Sequence, residues 1–299
     1  MDFPRLIKDK VDYYLNQLNI KISAGYRHSV ALNGNGKGYY WGYSPGQKYI
    51  PIDLPLIVSI SIGTFVFPLA LDRDGKVYCW DGDNGLRQQN YIPAYLPQIV
   101  AISAGAFHYI ALDVNGKVHA WGLKNWTQCA IPAHLPKIVA ISAGGNHSIA
   151  LDANGKVYAW GGNHYGQTDI PTHMSKIVTI SAGYYHSLAI NADGRVYAWG
   201  SNHYGQIDIP ANLPPIVAIS AGEGHSLALD VNGKVYAWGD NGAGQTVIPV
   251  HLPQIVTICS GNWHSMALDV NGKVYAWGQN DYGQTDIPTD LNFGNIESI

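Results

Sequence analysis

A histidine beside a serine is the smallest fragment of a nucleophilic hydrolase site, and this chain carries that pair repeatedly. In SAGYYHSLAI, residues 181–190, His186 precedes Ser187 and follows Gly183, a glycine of the kind that lets a ligand approach the backbone. Two chemistries use such residues. A Ser-His-Asp triad needs one special constellation, and a metal centre needs its ligands converging on one ion. Neither fits the spacing. His28, His108, His147, His186, His225 and His264 hold one place in successive copies of a word, with Val66 in that place in the second copy. Ligands in separate units do not converge, and a serine that recurs with every unit is not a special nucleophile. These residues read as structural, each histidine hydrogen-bonded within its own unit.

The word that holds them is Ser-Ala-Gly-x-x-His-Ser. Its glycines are Gly25, Gly63, Gly105, Gly144, Gly183, Gly222 and Gly261, at steps of 38, 42, 39, 39, 39 and 39 residues. Val-Tyr-Ala-Trp-Gly recurs in register, with Trp41, Trp80, Trp121, Trp160, Trp199, Trp238 and Trp277, and Gly-Gln-Thr-Asp-Ile-Pro follows. Short strands must position these residues. IVAIS is an apolar strand and HSLALD alternates with period 2. KVYAWG returns after a turn such as Asp230-Val231-Asn232-Gly233, whose Asn-Gly supplies the positive φ angles of a tight hairpin. The Ile-Pro segment leads to the next unit, because Pro lacks a ladder donor.

A period of about 40 residues with about four short strands is that of a propeller blade. The expected fold is therefore all-β: a seven-bladed β-propeller over residues 20–299, with about 39 residues per blade. NIKIS (residues 19–23) and NIESI (295–299) carry the same strand word, and one of them is expected to complete the sheet that joins the last blade to the first. Residues 1–19 lie outside the repeats. Asp2 as a cap, Pro4 in the first turn, and Ile7, Val11, Leu15 and Leu18 on one face predict a short N-terminal helix packed on the ring.

Composition excludes several classes. A net charge of −3 without a Lys/Arg run gives no footprint for duplex nucleic acid. No apolar stretch reaches the length of a membrane span, and MDFPRLIKDK places charges where a secretory signal needs apolar residues. Three cysteines suit a reducing compartment, so a cytoplasmic location, the protein's own or that of a host into which it is delivered, is expected. Cys79, Cys129 and Cys259 each replace a small residue of a repeat word and read as free thiols, buried or half-buried. Gly34-Asn35-Gly36-Lys37-Gly38 aligns with the hairpin turns and lacks the Ser/Thr and helix of a phosphate loop. Asn125-Trp126-Thr127 is a glycosylation triplet without a secretory context.

The pattern AGxxHSxALxxxGxVYxWGxNxxGQ resembles the repeat of the regulator of chromosome condensation family over roughly residues 20–299. The short repeat ending in GQTDIP looks most like bacterial members, including secreted β-lactamase inhibitor proteins. The resemblance implies a seven-bladed propeller that binds proteins through its Gly-x-x-His loop face. In the exchange-factor branch, an acid just before one such histidine is important for acting on the small GTPase Ran. Here that place holds Arg27, Phe65, Phe107, Asn146, Tyr185, Gly224 and Trp263; Asn146 is the nearest analogue, and Glu223 stands one residue too early.

The two residues between glycine and histidine vary most between copies, and rotational symmetry brings all seven pairs to one face. Tyr26, Arg27, Phe65, Phe107, Asn146, Tyr184, Tyr185, Glu223 and Trp263 are the expected partner-binding residues, rich in the aromatic and arginine types of interface hot spots. Irregular loops after Trp-Gly add Arg87, Lys124 and Trp126 as a secondary set. The function expected is a monomeric protein-binding propeller without cofactor or metal and without hydrolytic or redox chemistry. Its concrete form is a bacterial, host-delivered regulator of a small GTPase such as Ran. An enzyme inhibitor that plugs its target with the aromatic ring, or a scaffold, is the alternative.

Overall fold

The computed structural model describes residues 21–43, 54–79, 92–289 and 291. The expected helix over 1–19, Trp80, Arg87 and the terminal word NIESI lie outside them. The described residues form seven antiparallel sheets in chain order and no helix, so none long and apolar enough to cross a membrane. The fifth blade shows the plan. Its inner strand Ile177–Ala182 pairs with the middle strand His186–Asn191, which pairs with the outer strand Val196–Gly200.

Three strands per blade, rather than the four expected, follow from what Gly-Gln-Thr-Asp-Ile-Pro does instead of pairing. Gln167 is buried, its side-chain oxygen accepts from the Tyr165 backbone N–H, and its carbonyl serves the next blade. The segment is a folded connection, not a ladder strand. The hairpin turns also differ from the expected form. Only the glycine has a positive φ, +81° at Gly233. Asp230 closes the turn itself, its Oδ1 accepting from the N–H groups of Asn232 and Lys234, and its Oδ2 from the Tyr236 hydroxyl. In the third blade His119 replaces that tyrosine and meets Asp113 at 3.0 Å. Burial pushes the Asp113 carboxyl up, but hydrogen bonds from His119 and from the Lys117 and Asn115 N–H groups outweigh it and hold it below its ordinary value.

The core lies between blades, not inside them. Leu188, Ile190 and Val196 of the fifth blade pack on Ile216, Ile219, Ala228 and Trp238 of the sixth. The same kind of cluster joins the seventh blade, through Met266, Leu268 and Val274, to Ala24, Ala31 and Trp41 of the first. Lys21–Ala24 forms the inner strand of its own first sheet, so among the described residues no shared strand joins the ends.

Hydrogen bonds make the same circuit. The inner-strand hydroxyl of each blade accepts from the backbone N–H that begins the next glycine loop: Ser181 from Ala221, and Ser220 from Ser260. At the seam Cys259 takes the serine's role, its Sγ accepting from the Ala24 N–H at 3.2 Å. Burial raises that thiol to about 11, so it stays protonated and unreactive. Cys79 and Cys129 are half-buried thiols outside any disulfide among the described residues.

Candidate functional site

The histidine–serine pairs are structural, as their repetition implies, but they join neighbouring blades rather than closing within one. His186 Nε2 meets Ser226 Oγ at 2.9 Å, and His264 meets Ser29 at 2.8 Å across the seam. The tautomer follows from the next link. Ser226 Oγ donates to the carbonyl of Gln206, which can only accept, so the serine oxygen must accept from an Nε2–H. That leaves Nδ1 bare, and Nδ1 of His108, His147, His186, His225 and His264 is buried with no partner among the described residues. Burial lowers these imidazoles from 6.5 to about 3 at His108, His186 and His264, and to about 4 at His28, His147 and His225. They are neutral and sealed in, and all but His28 are bonded to serines whose protons are already committed. Such serines are not poised for attack.

The second blade breaks this chain, and the break is compensated. Val66 fills the space beside Gly63 that histidine fills elsewhere, and one extra residue, Phe67, then places Pro68 where the others have serine. His28 therefore finds no hydroxyl and stacks on Tyr40, with centroids 5.3 Å apart. In the third blade Tyr109 replaces the serine, packs in the same cluster as Val66, and donates to the Phe67 carbonyl.

The glycine loops converge on the ring axis. Each loop glycine lies against the carbonyl of the next, from Gly105 against Gly144 round to Gly261 against Gly25. They surround a central cavity of about 90 Å³, lined mostly by alanine and glycine. The residues that follow these glycines, Tyr26 apart, line this cavity. At the mouth, Thr64, Ala106 and Gly145 are small on one side, whereas Tyr184, Glu223 and Asn262 are large or polar on the other. Asn262 Nδ2 donates to Glu223 Oε2 at 2.6 Å, and its Oδ1 accepts from Thr64 at 3.2 Å. Burial raises the Glu223 carboxyl, and the Asn262 hydrogen bond opposes the rise. Burial, with Tyr185, Glu223 and Tyr26 nearby, lifts the Tyr184 hydroxyl well above its ordinary value.

The expected exposed aromatic tips are a packed surface instead. Phe107 stacks on Phe65 at 5.1 Å, Phe65 meets Tyr26 at 5.4 Å, and Tyr26 meets Trp263 at 4.9 Å. Of these four, only Phe65 is exposed; the others are half-buried because each shields the next. A second arc runs from Tyr184 to Tyr185 at 4.4 Å and on to Tyr165 at 4.9 Å. Arg27 lies between the rings of Tyr26 and Tyr282, 4.6 and 4.1 Å from their centroids. Asn146 is half-buried beside Gly162, apart from both arcs. Trp126 sits edge-on to His164, and Lys124 is exposed beside it.

Sequence reasoning missed Tyr165, Tyr204 and Tyr282. They belong to the recurring Asn-x-Tyr-Gly-Gln segment, and pairing of each histidine with the glycine after tryptophan, as His186 with Gly200, brings that segment to the same end of the sheet. The pairing register is the signal that could have found them.

A closed circuit of seven three-stranded sheets, five of them handing a histidine bond to the next, with an aromatic loop face, defines a repeat propeller. The chain belongs to the regulator of chromosome condensation (RCC1) repeat family, whose model matches residues 99–125, 138–167, 177–206, 216–245 and 255–284. Its structure is similar to that of Prp20p from Saccharomyces cerevisiae, with TM-score 0.71 and 21% identity over 87% of this chain and 83% of that one. It is also similar to the ectodomain of the receptor kinase CR4 from Physcomitrella patens, with TM-score 0.71 and 22% identity over 87% and 73% of the two chains. Human WBSCR16 aligns with TM-score 0.66 and 20% identity over 84% and 80%. At these identities the likeness is one of fold. No curated protein sequence matches this chain.

Proposed function

We propose that this chain is a protein-binding propeller that regulates a partner through its Gly-x-x-His loop face. One observation carries the proposal. Seven aromatic side chains and Arg27 form two packed arcs at the loop end of the ring. Rigid aromatic surface of this kind is what partner hot spots are made of. The structure of Prp20p was described with its binding to Gsp1p and histones, which supports a protein partner for a chain of this fold. The concrete form is regulation of a small GTPase such as Ran, by exchange or by holding its active state. No acid precedes a loop histidine, so exchange here would use other residues of the face.

A nucleotide-release assay over a panel of small GTPases tests this form directly: acceleration or retention of nucleotide on one member supports it, and no effect on any member removes it. For the face itself, Trp263→Ala and Tyr185→Ala are each expected to weaken partner binding by about 2 kcal/mol, with the thermal unfolding curve unchanged. If both variants bind as tightly as the parent, the interface lies elsewhere. An inhibitor that plugs a concave enzyme surface is the second reading. It is favoured by Phe65, 45% exposed within its arc.

A further inference from the structure

Charge divides sharply between the two ends of the ring. Among the described residues, the loop end carries Asp169, Asp208, Glu223, Asp240, Asp281 and Asp286 against Arg27 and Lys124. The hairpin end carries eleven lysines and arginines against seven aspartates. A net charge of −3 conceals this polarity, because the two ends offset each other. The loop end therefore attracts a basic surface and repels an acidic one.

Within that acidic end, one carboxylate differs from the rest. The aspartates of the GQTD segments are exposed and held by neighbouring asparagines, as Asp169 is by Asn163 and Asp208 by Asn202. Glu223 instead stands at the mouth of the axial cavity, half-buried, with Asn262 its one side-chain donor. A carboxylate accepts at several lone pairs, so it has acceptor capacity left over. The Tyr184 hydroxyl shares the mouth, close to both the Glu223 carboxylate and Tyr26. Tyr26 in turn packs its ring on Trp263. The same face already holds a guanidinium between two rings, as Arg27 lies between Tyr26 and Tyr282. A partly desolvated carboxylate among aromatic rings is what an organic cation selects.

We propose that the mouth of the axial cavity is a pocket for one lysine or arginine side chain presented by a basic surface of the partner, with Glu223 as its counter-ion. This rests on the loop face being the partner surface. The cavity of about 90 Å³ takes the end of a single side chain rather than a folded ligand. Thr64, Ala106 and Gly145 are the small residues of the lining, with the Tyr184 ring against Gly145, and the exposed aspartates steer the partner without entering the pocket.

Calorimetric titration of the full chain with acetyl-tetralysine amide at low ionic strength tests the pocket independently of the natural partner. The parent is expected to bind, and Glu223→Gln to bind about tenfold more weakly. Asp281→Asn, at the rim, is expected to stay within about twofold of the parent, and tetraglutamate is expected not to bind. Absence of tetralysine binding, or equal affinity of the parent and Glu223→Gln, overturns the pocket. The two proposals fail separately. A GTPase or enzyme held through Trp263 and Tyr185 but indifferent to Glu223→Gln leaves the face and removes the pocket. Glu223-dependent tetralysine binding with no loss of partner affinity in Trp263→Ala and Tyr185→Ala does the reverse.

Discussion

Acidification from about pH 7 to about pH 5 is expected to unfold this protein, without any carboxylate needing to titrate. Six buried histidines have folded values of about 3 to 4 against an ordinary 6.5. A depressed folded value means that the unfolded chain binds more protons, so the stability these groups confer is complete above 6.5 and falls as the pH drops toward 4. Each costs ~1.4 kcal/mol per pH unit in that window, and six together remove on the order of 10 kcal/mol by about pH 5. That is comparable with the whole stability of an ordinary domain, ~5–15 kcal/mol. The cause is structural. At five of them the serine–glutamine link commits Nε2–H, so a second proton would have to sit on a bare, buried Nδ1 with no acceptor, and at His28 the buried Nε2 has no partner among the described residues.

Tryptophan fluorescence and far-ultraviolet circular dichroism against pH should show one steep transition near pH 5.5, with the uptake of several protons. His186→Asn should remove about one proton from that uptake. A chain that keeps its native spectrum at about pH 4.5 would show that the histidines are not the controlling groups.

The second large effect is expected at a glycine. A Cβ added to Gly183 would lie 2.5 Å from the Gly222 carbonyl oxygen and 2.7 Å from His186 Cε1. Neither can yield cheaply, because that carbonyl accepts from the Tyr184 N–H and His186 is locked to Ser226. Gly183→Ala should therefore destabilise by about 3 kcal/mol, the cost of overpacking a rigid site. Gly166→Ala is the useful contrast. Its φ of +77° carries the strain, while its Cβ would meet only an Asp169 carboxylate oxygen at 3.3 Å. About 1 kcal/mol is expected there. Urea denaturation of both variants measures the difference, and equal losses would mean that the axial glycines matter for conformation rather than for space.

The blades were legible because their words recur in register, and turn chemistry marked every hairpin. The partner of each bond was not. His186 and Ser187 belong to the same word, so a strictly repeating sequence cannot say whether His186 bonds the serine beside it in the text or its copy forty residues on, at Ser226. The fourth strand failed for a related reason. GQTDIP ends with a residue that cannot join a ladder, yet its real task, Gln206 lending a carbonyl to Trp238 and Ser226, involves groups that every peptide has. On the loop face the variable pairs marked the right end of the ring. Their packing was hidden because Phe65, Tyr26 and Trp263 touch only after the chain has closed on itself.

The bond carried by Cys259 at the seam is the one that every other junction makes with serine. Since every interface has this form, no blade is first or last in any energetic sense. A unit added to or taken from the chain would keep all its local partners and change only the angle at which neighbours meet. What sets the number at seven is the axis, where glycine already meets carbonyl with no room for a methyl group. A six-membered ring of the same units would have to compress that contact further. An eight-membered ring would pull Tyr184 and Tyr26 away from Glu223. The census of blades and the shape of the mouth are thus one quantity, inherited together whenever the gene lengthens or shortens.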